Sequence, residues 1–175
     1  MATTTSKTPR IVGLITIIAG AIFFVAGAVT WGMVSSNLKA EEITVSEDAA
    51  FLGGATVQDP FSAFAQADII NHHALAGSEG RTYAELGTAI SDAKAAGAAD
   101  DSEEVLDLQK QRNTMMNASF LRASLFTSVV AFGVAALVMG LGVMFVLIGW
   151  ALRKVSVAPA AHTSAAATPE APAQA

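Results

Sequence analysis

Cysteine is absent from the 175-residue chain, and charge is sparse, since Asp, Glu, Lys and Arg make up only 14% of it. The lack of cysteine excludes disulfide bonds, thiolate metal sites and a cysteine nucleophile. The 10 basic residues form no patch with interleaved aromatic side chains, which argues against nucleic acid as a partner. No P-loop, GxSxG motif or Ser/His/Asp set is present. The common motif-bearing enzyme classes are therefore not indicated.

Two long stretches contain no charged residue at all, namely 11–34 and 123–152. At about 1.5 Å per residue, a helix over either stretch is long enough to cross a hydrocarbon core of about 30 Å. We therefore predict two transmembrane helices, with Trp31 and Trp150 near the headgroup regions. Because ion and proton paths normally need an ionisable residue within the membrane, a transporter or channel is disfavoured.

The basic residues that flank the two stretches predict the orientation. Lys7 and Arg10 precede the first, and Arg153 and Lys154 follow the second. The positive-inside rule then places residues 1–10 and the Ala/Pro-rich, disordered tail 153–175 in the cytoplasm. Residues 35–122, with 14 acidic and 6 basic side chains, become an extracytoplasmic domain. The predicted location is the plasma membrane, with two passes.

The first apolar stretch also has an alternative interpretation. A basic start, an apolar run and the small residues at 26–28 are typical of a cleavable signal peptide. The run is longer than the usual signal-peptide core of about 7 to 15 residues, so we predict a retained helix. Cleavage would instead leave a protein with a single span.

Helix start signals recur in the acidic domain. Asp59 followed by Pro60 predicts a helix that runs to Gly77, and Thr82 with Glu85 has the spacing of a capping box that opens a second helix, ending near residue 97. A third helix is predicted from Asp101 and Ser102. Since no Gly or Pro follows before residue 133, we expect it to continue into the membrane as a stalk.

The stalk carries apolar residues at helical spacings, and the two preceding helices offer apolar faces for it to cover. We expect these residues to form a small core, although the same faces could be a docking groove for a partner helix. The stalk residues are Val105, Leu108, Met115 and Met116, and the facing residues are Phe61, Phe64, Leu75, Leu86 and Ile90.

Small residues recur every seven positions in both predicted spans. In lipid, such heptads allow two helices to approach closely and associate through van der Waals contact. The simplest use is to pair the two spans, and the competing use is homodimerisation or docking on a larger membrane complex. The predicted fold class is therefore an all-α membrane protein, with an antiparallel two-helix transmembrane hairpin and a small helical extracytoplasmic domain. The packing residues are Gly13, Gly20, Gly27, Ser128, Ala135, Gly142 and Gly149.

Two adjacent histidines near the end of the first loop helix raise the question of a metal site. Asp68 and His72 are four residues apart and share a helix face, but His73 is rotated by about 100° from His72. His162, the third histidine, is predicted on the other side of the membrane. We expect surface histidines near a helix C-terminus and no cofactor. A metal site of Asp68, His72 and His73, or pH sensing through the histidines, is the alternative.

Residues 9–36, 59–75, 82–86 and 116–152, including "DPFSAFAQADIINHHAL" and "TYAEL", resemble a family of small two-span membrane proteins of actinobacteria. Members often carry the label aromatic ring-opening dioxygenase, which implies ferrous iron bound by histidines and a carboxylate. Only His72 and His73 are available for that role here. The expected function is a non-catalytic accessory or scaffolding subunit of a larger cell-envelope or respiratory complex, in contact with lipid and with a membrane-protein partner or a second copy. An extradiol dioxygenase and an envelope sensor are the alternatives.

Overall fold

The computed structural model describes residues 7–155; the predicted tail beyond them, with His162, lies outside the described residues. The described residues form four helices: α1 (Thr8–Ala40), α2 (Pro60–Gly77), α3 (Tyr83–Ala95) and α4 (Glu103–Val155). The predicted all-α class is confirmed. Two long apolar helices, α1 and α4, pack together, and the two short helices lie between them in the chain.

The two long helices extend well beyond the apolar stretches. α1 has 33 residues and α4 has 53, so α4 is about 80 Å long. Both are long enough and apolar enough to cross a membrane. The predicted continuation of the third loop helix into the second apolar stretch is confirmed, because α4 is unbroken from Glu103 to Val155. The stalk and the apolar segment are therefore one rigid element.

The short helices begin where the sequence predicts. The Asp59 carboxylate accepts hydrogen bonds from the backbone N–H groups of Phe61 and Ser62 at 2.9 and 3.1 Å, which caps α2. At α3 the Thr82 N–H donates to the Glu85 carboxylate at 2.8 Å, and the Glu85 N–H donates to the Thr82 hydroxyl at 3.4 Å. These bonds to Thr82 lower the pKa of Glu85. Both predicted start signals are confirmed.

Among the described residues, α4 contacts all three other helices and is therefore the central helix of the fold. Two apolar clusters lie along it. The first cluster lies at the N-terminal end of α4 and joins α3 and the end of α2 to it. Its buried residues are Ala74, Leu86, Ala93, Val105, Leu108, Met115 and Ala118. The second cluster joins α1, the loop before α2 and the start of α2 to α4, through Leu38, Val45, Val57, Ala63, Ala65, Ala67, Leu125 and Phe132.

The loop between α1 and α2 is not helical, and no structure was predicted for it from the sequence. It folds back on itself at an antiparallel bridge between Thr44 and Thr56. The Val45 N–H donates to the Ala55 carbonyl at 2.9 Å. Val45 and Val57 are both buried in the second cluster. The loop is thus part of the core and fixes the start of α2 against α4.

Candidate functional site

The glycines of α1 and α4 lie at the closest approach of the two helices. A methyl group built on Gly20 would lie 2.5 Å from the carbonyl oxygen of Gly142, and one built on Gly142 would lie 2.6 Å from the carbonyl oxygen of Gly20. Gly13 and Gly149 make the same reciprocal approach nearer the chain ends. Because real Cβ atoms do not occur at such distances from backbone, only glycine allows this helix separation. We call this contact line the glycine seam.

The seam continues toward the loop with larger residues. A methyl group on Gly27 would lie 2.8 Å from the Ala135 carbonyl oxygen. Residue 13 is therefore paired with 149, residue 20 with 142 and residue 27 with 135. Because the residue number rises along one helix as it falls along the other, the two helices are antiparallel. Beyond this point Trp31 packs edge-on against the fully buried ring of Phe132, with centroids 4.7 Å apart. Ser128 is half-buried and its hydroxyl donates to the Ser124 carbonyl of its own helix at 3.3 Å. Ser128 also lines a groove at this end of the seam.

A groove of about 660 Å³ opens at this end of the seam, between α1, the loop, α2 and α4. Val34, Leu38 and Leu125 form apolar walls, whereas Glu41 and Gln66 are polar. The Gln66 side-chain carbonyl accepts a hydrogen bond from the Ser46 N–H at 3.1 Å, which links α2 to the loop. The groove lies beside α4 at the level where the stalk ends and the apolar segment begins.

Aromatic ring contacts connect the apolar segment of α4 to residues 35–122, which are called the loop domain below. The Phe126 and Phe64 rings meet edge-on at 5.9 Å, and the Phe64 and Phe51 rings stack at 6.3 Å. Phe61 was expected to be covered by the stalk, but its side chain is 71% exposed. It lies three residues before Phe64 and so shares its helix face. Phe51, Leu52, Phe61 and Phe64, all exposed, are called the apolar patch below.

Two arginines attach the short helices to α4. The Arg122 Nε–H donates to the backbone carbonyl of Ala67 in α2 at 3.2 Å. The Arg112 guanidinium lies 4.1 Å from the centroid of the Tyr83 ring of α3. Neither role was predicted from the sequence, because both join residues far apart in the chain. The Arg122 contact thereby attaches α2, the helix that carries Phe61 and Phe64, to α4.

The histidines form a contact that the sequence did not predict. His73 Nε2 lies 2.7 Å from Asp48 Oδ2, so the loop before α2 supplies its carboxylate partner. This hydrogen bond is the main reason why the pKa of Asp48 is lowered, and the charges of His73 and His72 add to it. The His72 ring lies 6.2 Å from that of His73, and Asp68 is exposed on α2.

These side chains do not fit the iron centre that the family resemblance implies. Within residues 7–155, no three His, Asp or Glu side chains are grouped so that they could bind one metal ion. His73 binds Asp48, while Asp68 and His72 do not join it as ligands.

Comparison with known proteins gives no direct assignment. No protein-family model, curated protein or solved structure matches the chain.

Proposed function

We propose that this is an integral protein of the plasma membrane, in which α1 and α4 form an antiparallel transmembrane hairpin. The proposal is supported by the two long apolar helices and by the separation of charge along them. Lys7, Arg10, Arg153 and Lys154 lie at one end, and every described acidic residue lies between positions 41 and 107, at the other. By the positive-inside rule both chain ends are cytoplasmic and residues 35–122 are extracytoplasmic.

The function that these features support best is that of a non-catalytic accessory or scaffolding subunit in a larger cell-envelope or respiratory membrane complex. The apolar patch is the observation that carries this proposal. Its four large apolar side chains are exposed, between 41% for Phe51 and 71% for Phe61. Contiguous exposed apolar surface of this kind marks an interaction site. Arg122 hydrogen-bonds to α2, which carries Phe61 and Phe64, and the loop that carries Phe51 and Leu52 is packed into the second cluster.

The position of the patch indicates the kind of partner. The ring contacts from Phe51 through Phe64 to Phe126 connect the patch to the apolar segment of α4. A partner that covers the patch therefore also lies beside this segment, so it is itself a membrane protein. A second copy of this chain would satisfy the same condition.

Site-specific photo-crosslinking in native membranes tests the proposal. A benzophenone amino acid in place of Phe61 is expected to form one predominant protein adduct, identified by mass spectrometry. The same group in place of Ala99, an exposed residue of the α3–α4 turn, is the matched control and is expected to give no such adduct. Adducts to lipid alone from position 61 would contradict the proposal, since the patch would then rest on the bilayer surface.

The dioxygenase activity suggested by the resemblance is the alternative, and metal analysis of the protein purified from native membranes in a mild detergent tests it. Stoichiometric iron that is lost in His72→Ala would favour an enzyme. Iron-free protein in a stoichiometric membrane complex would favour the accessory subunit.

A further inference from the structure

The end of the hairpin farthest from the loop domain carries an unusual concentration of positive charge. Arg10 of α1 and Arg153 and Lys154 of α4 line one groove of about 580 Å³, together with Trp150. We call it the basic groove. All four side chains are exposed, and none of the three cations takes part in an ion pair among the described residues. The first turn of α1 contains no acidic residue either.

Close packing brings the cations of the two helices together. The Cγ atom of Arg153 lies 2.8 Å from the position of a methyl group on Gly13, so the Arg153 side chain crosses the bare surface of α1. Arg10 precedes Gly13 by one helical turn and is on the same face. The Lys154 Nζ atom lies 5.1 Å from the centroid of the Trp150 ring. The three cations therefore line one groove, where a bound anion would reduce the repulsion between them.

We infer that the basic groove binds the phosphate of an anionic phospholipid from the cytoplasmic leaflet. A phosphodiester carries a negative charge that the three unpaired cations attract, and an arginine guanidinium matches phosphate oxygens with two parallel hydrogen bonds. Trp150 provides an amphipathic ring at headgroup depth. Basic pockets between transmembrane helices on the cytoplasmic side bind acidic lipid headgroups in this way. The inference rests on the proposed membrane hairpin.

Fluorescence quenching tests it directly, because Trp31 and Trp150 are the only tryptophans in the chain. In full-length Trp31→Phe protein in mixed micelles, brominated phosphatidylglycerol is expected to quench Trp150 at lower concentration than brominated phosphatidylcholine. The change Arg10→Gln with Arg153→Gln is expected to raise the phosphatidylglycerol concentration needed by on the order of tenfold. Arg10→Lys with Arg153→Lys retains the charges and is expected to retain the preference in weaker form.

The matched control is Lys39→Gln with Lys110→Gln, which removes the same charge from exposed residues at the other end of the molecule. It is expected to leave the preference unchanged. Equal quenching by the two lipids, or an equal effect of the control pair, would overturn the inference. Displacement of the lipid by soluble glycerol 3-phosphate would overturn the assignment to a lipid and favour a free phosphate ester.

Failure of the inference can be told apart from failure of the proposed function. Release of the wild-type protein from membranes by alkaline carbonate would contradict the membrane hairpin itself. Retention in the membrane with no preference between the two lipids would contradict the lipid site alone.

Discussion

Gly20 and Gly142 face each other so closely that a methyl group on either would lie about 2.5 Å from the carbonyl oxygen of the other. The contact is backbone to backbone, so no side chain can move aside to make room. Small residues are the general means by which helices associate in lipid, where the hydrophobic effect does not drive their pairing. The stability of the hairpin is thus expected to depend on these glycines more than on its large apolar residues.

Gly20→Ala and Gly142→Ala are each expected to destabilise the packing of α1 on α4. Overpacking of this kind costs about 1 to 3 kcal/mol, because the helices have to separate. The measurement is the free energy of unfolding in detergent micelles, followed by circular dichroism as denaturant is added.

Gly133→Ala and Gly140→Ala are the controls for the glycine seam. They lie in the same helix as Gly142, but nothing lies within 4 Å of a methyl group on either. Alanine also has the higher helix propensity, so these variants are expected to be at least as stable as the wild type. Equal losses in all four variants would show that α4 is sensitive to any added methyl group and that the close approach is not its cause.

Leu86→Ala is expected to release α3 from the stalk. The Leu86 side chain is completely buried against α4, and removal of such a side chain costs about 2 to 5 kcal/mol. Amide hydrogen exchange should show faster exchange across Tyr83–Ala95. Leu106→Ala removes the same atoms from a side chain that is 51% exposed and should leave the exchange of α3 unchanged. If both variants exchange alike, α3 is not held by this contact.

The contact between Asp48 and His73 predicts a specific pH dependence. The hydrogen bond from His73 lowers the pKa of Asp48 from its ordinary value of 3.8. His73→Ala is therefore expected to raise the Asp48 pKa toward 3.8, whereas His72→Ala should change it less, because His72 acts through its charge only. Carboxyl carbon chemical shifts followed as a function of pH measure both. A larger effect of His72→Ala would contradict the contact.

The sign of the associated stability change follows from linkage. Because the folded-state pKa of Asp48 is below the unfolded value, the contact stabilises the fold above the unfolded pKa. This contribution is lost as the pH falls through the folded-state pKa. Asp48→Asn should lack the contribution at every pH. Since the Asp48 side chain is 62% exposed, the effect is expected to be small and to weaken with salt.

The long helices and their starts could be predicted because their causes are local in the sequence. An uncharged stretch predicts a span, and Asp59 with Pro60, or Thr82 with Glu85, supplies backbone partners within one turn. The positions of the seam glycines were likewise visible as a seven-residue repeat. Which helix each glycine faces became clear only from the structure, since a repeat fits pairing within one chain or between two.

The loop before α2 could not be predicted because its causes are not local. Its alternating segments around Thr44 and Thr56 are three residues each, which is too short to stand out against an acidic background. Asp48 is 25 residues from His73, so no spacing rule connects them. The exposure of Phe61 was also missed, because an apolar residue on a short helix is ordinarily expected to be buried.

In the proposed topology, α1 and α4 cross the membrane and the loop domain lies outside. The chain has no native cysteine, so single cysteines can report the side on which each part lies. In intact cells, a membrane-impermeant maleimide is expected to label Ala99→Cys, at an exposed position of the loop domain, and to leave Ser164→Cys in the tail unlabelled until the cells are permeabilised. Labelling of Ser164→Cys but not Ala99→Cys in intact cells would contradict the orientation, and labelling of both would contradict the hairpin.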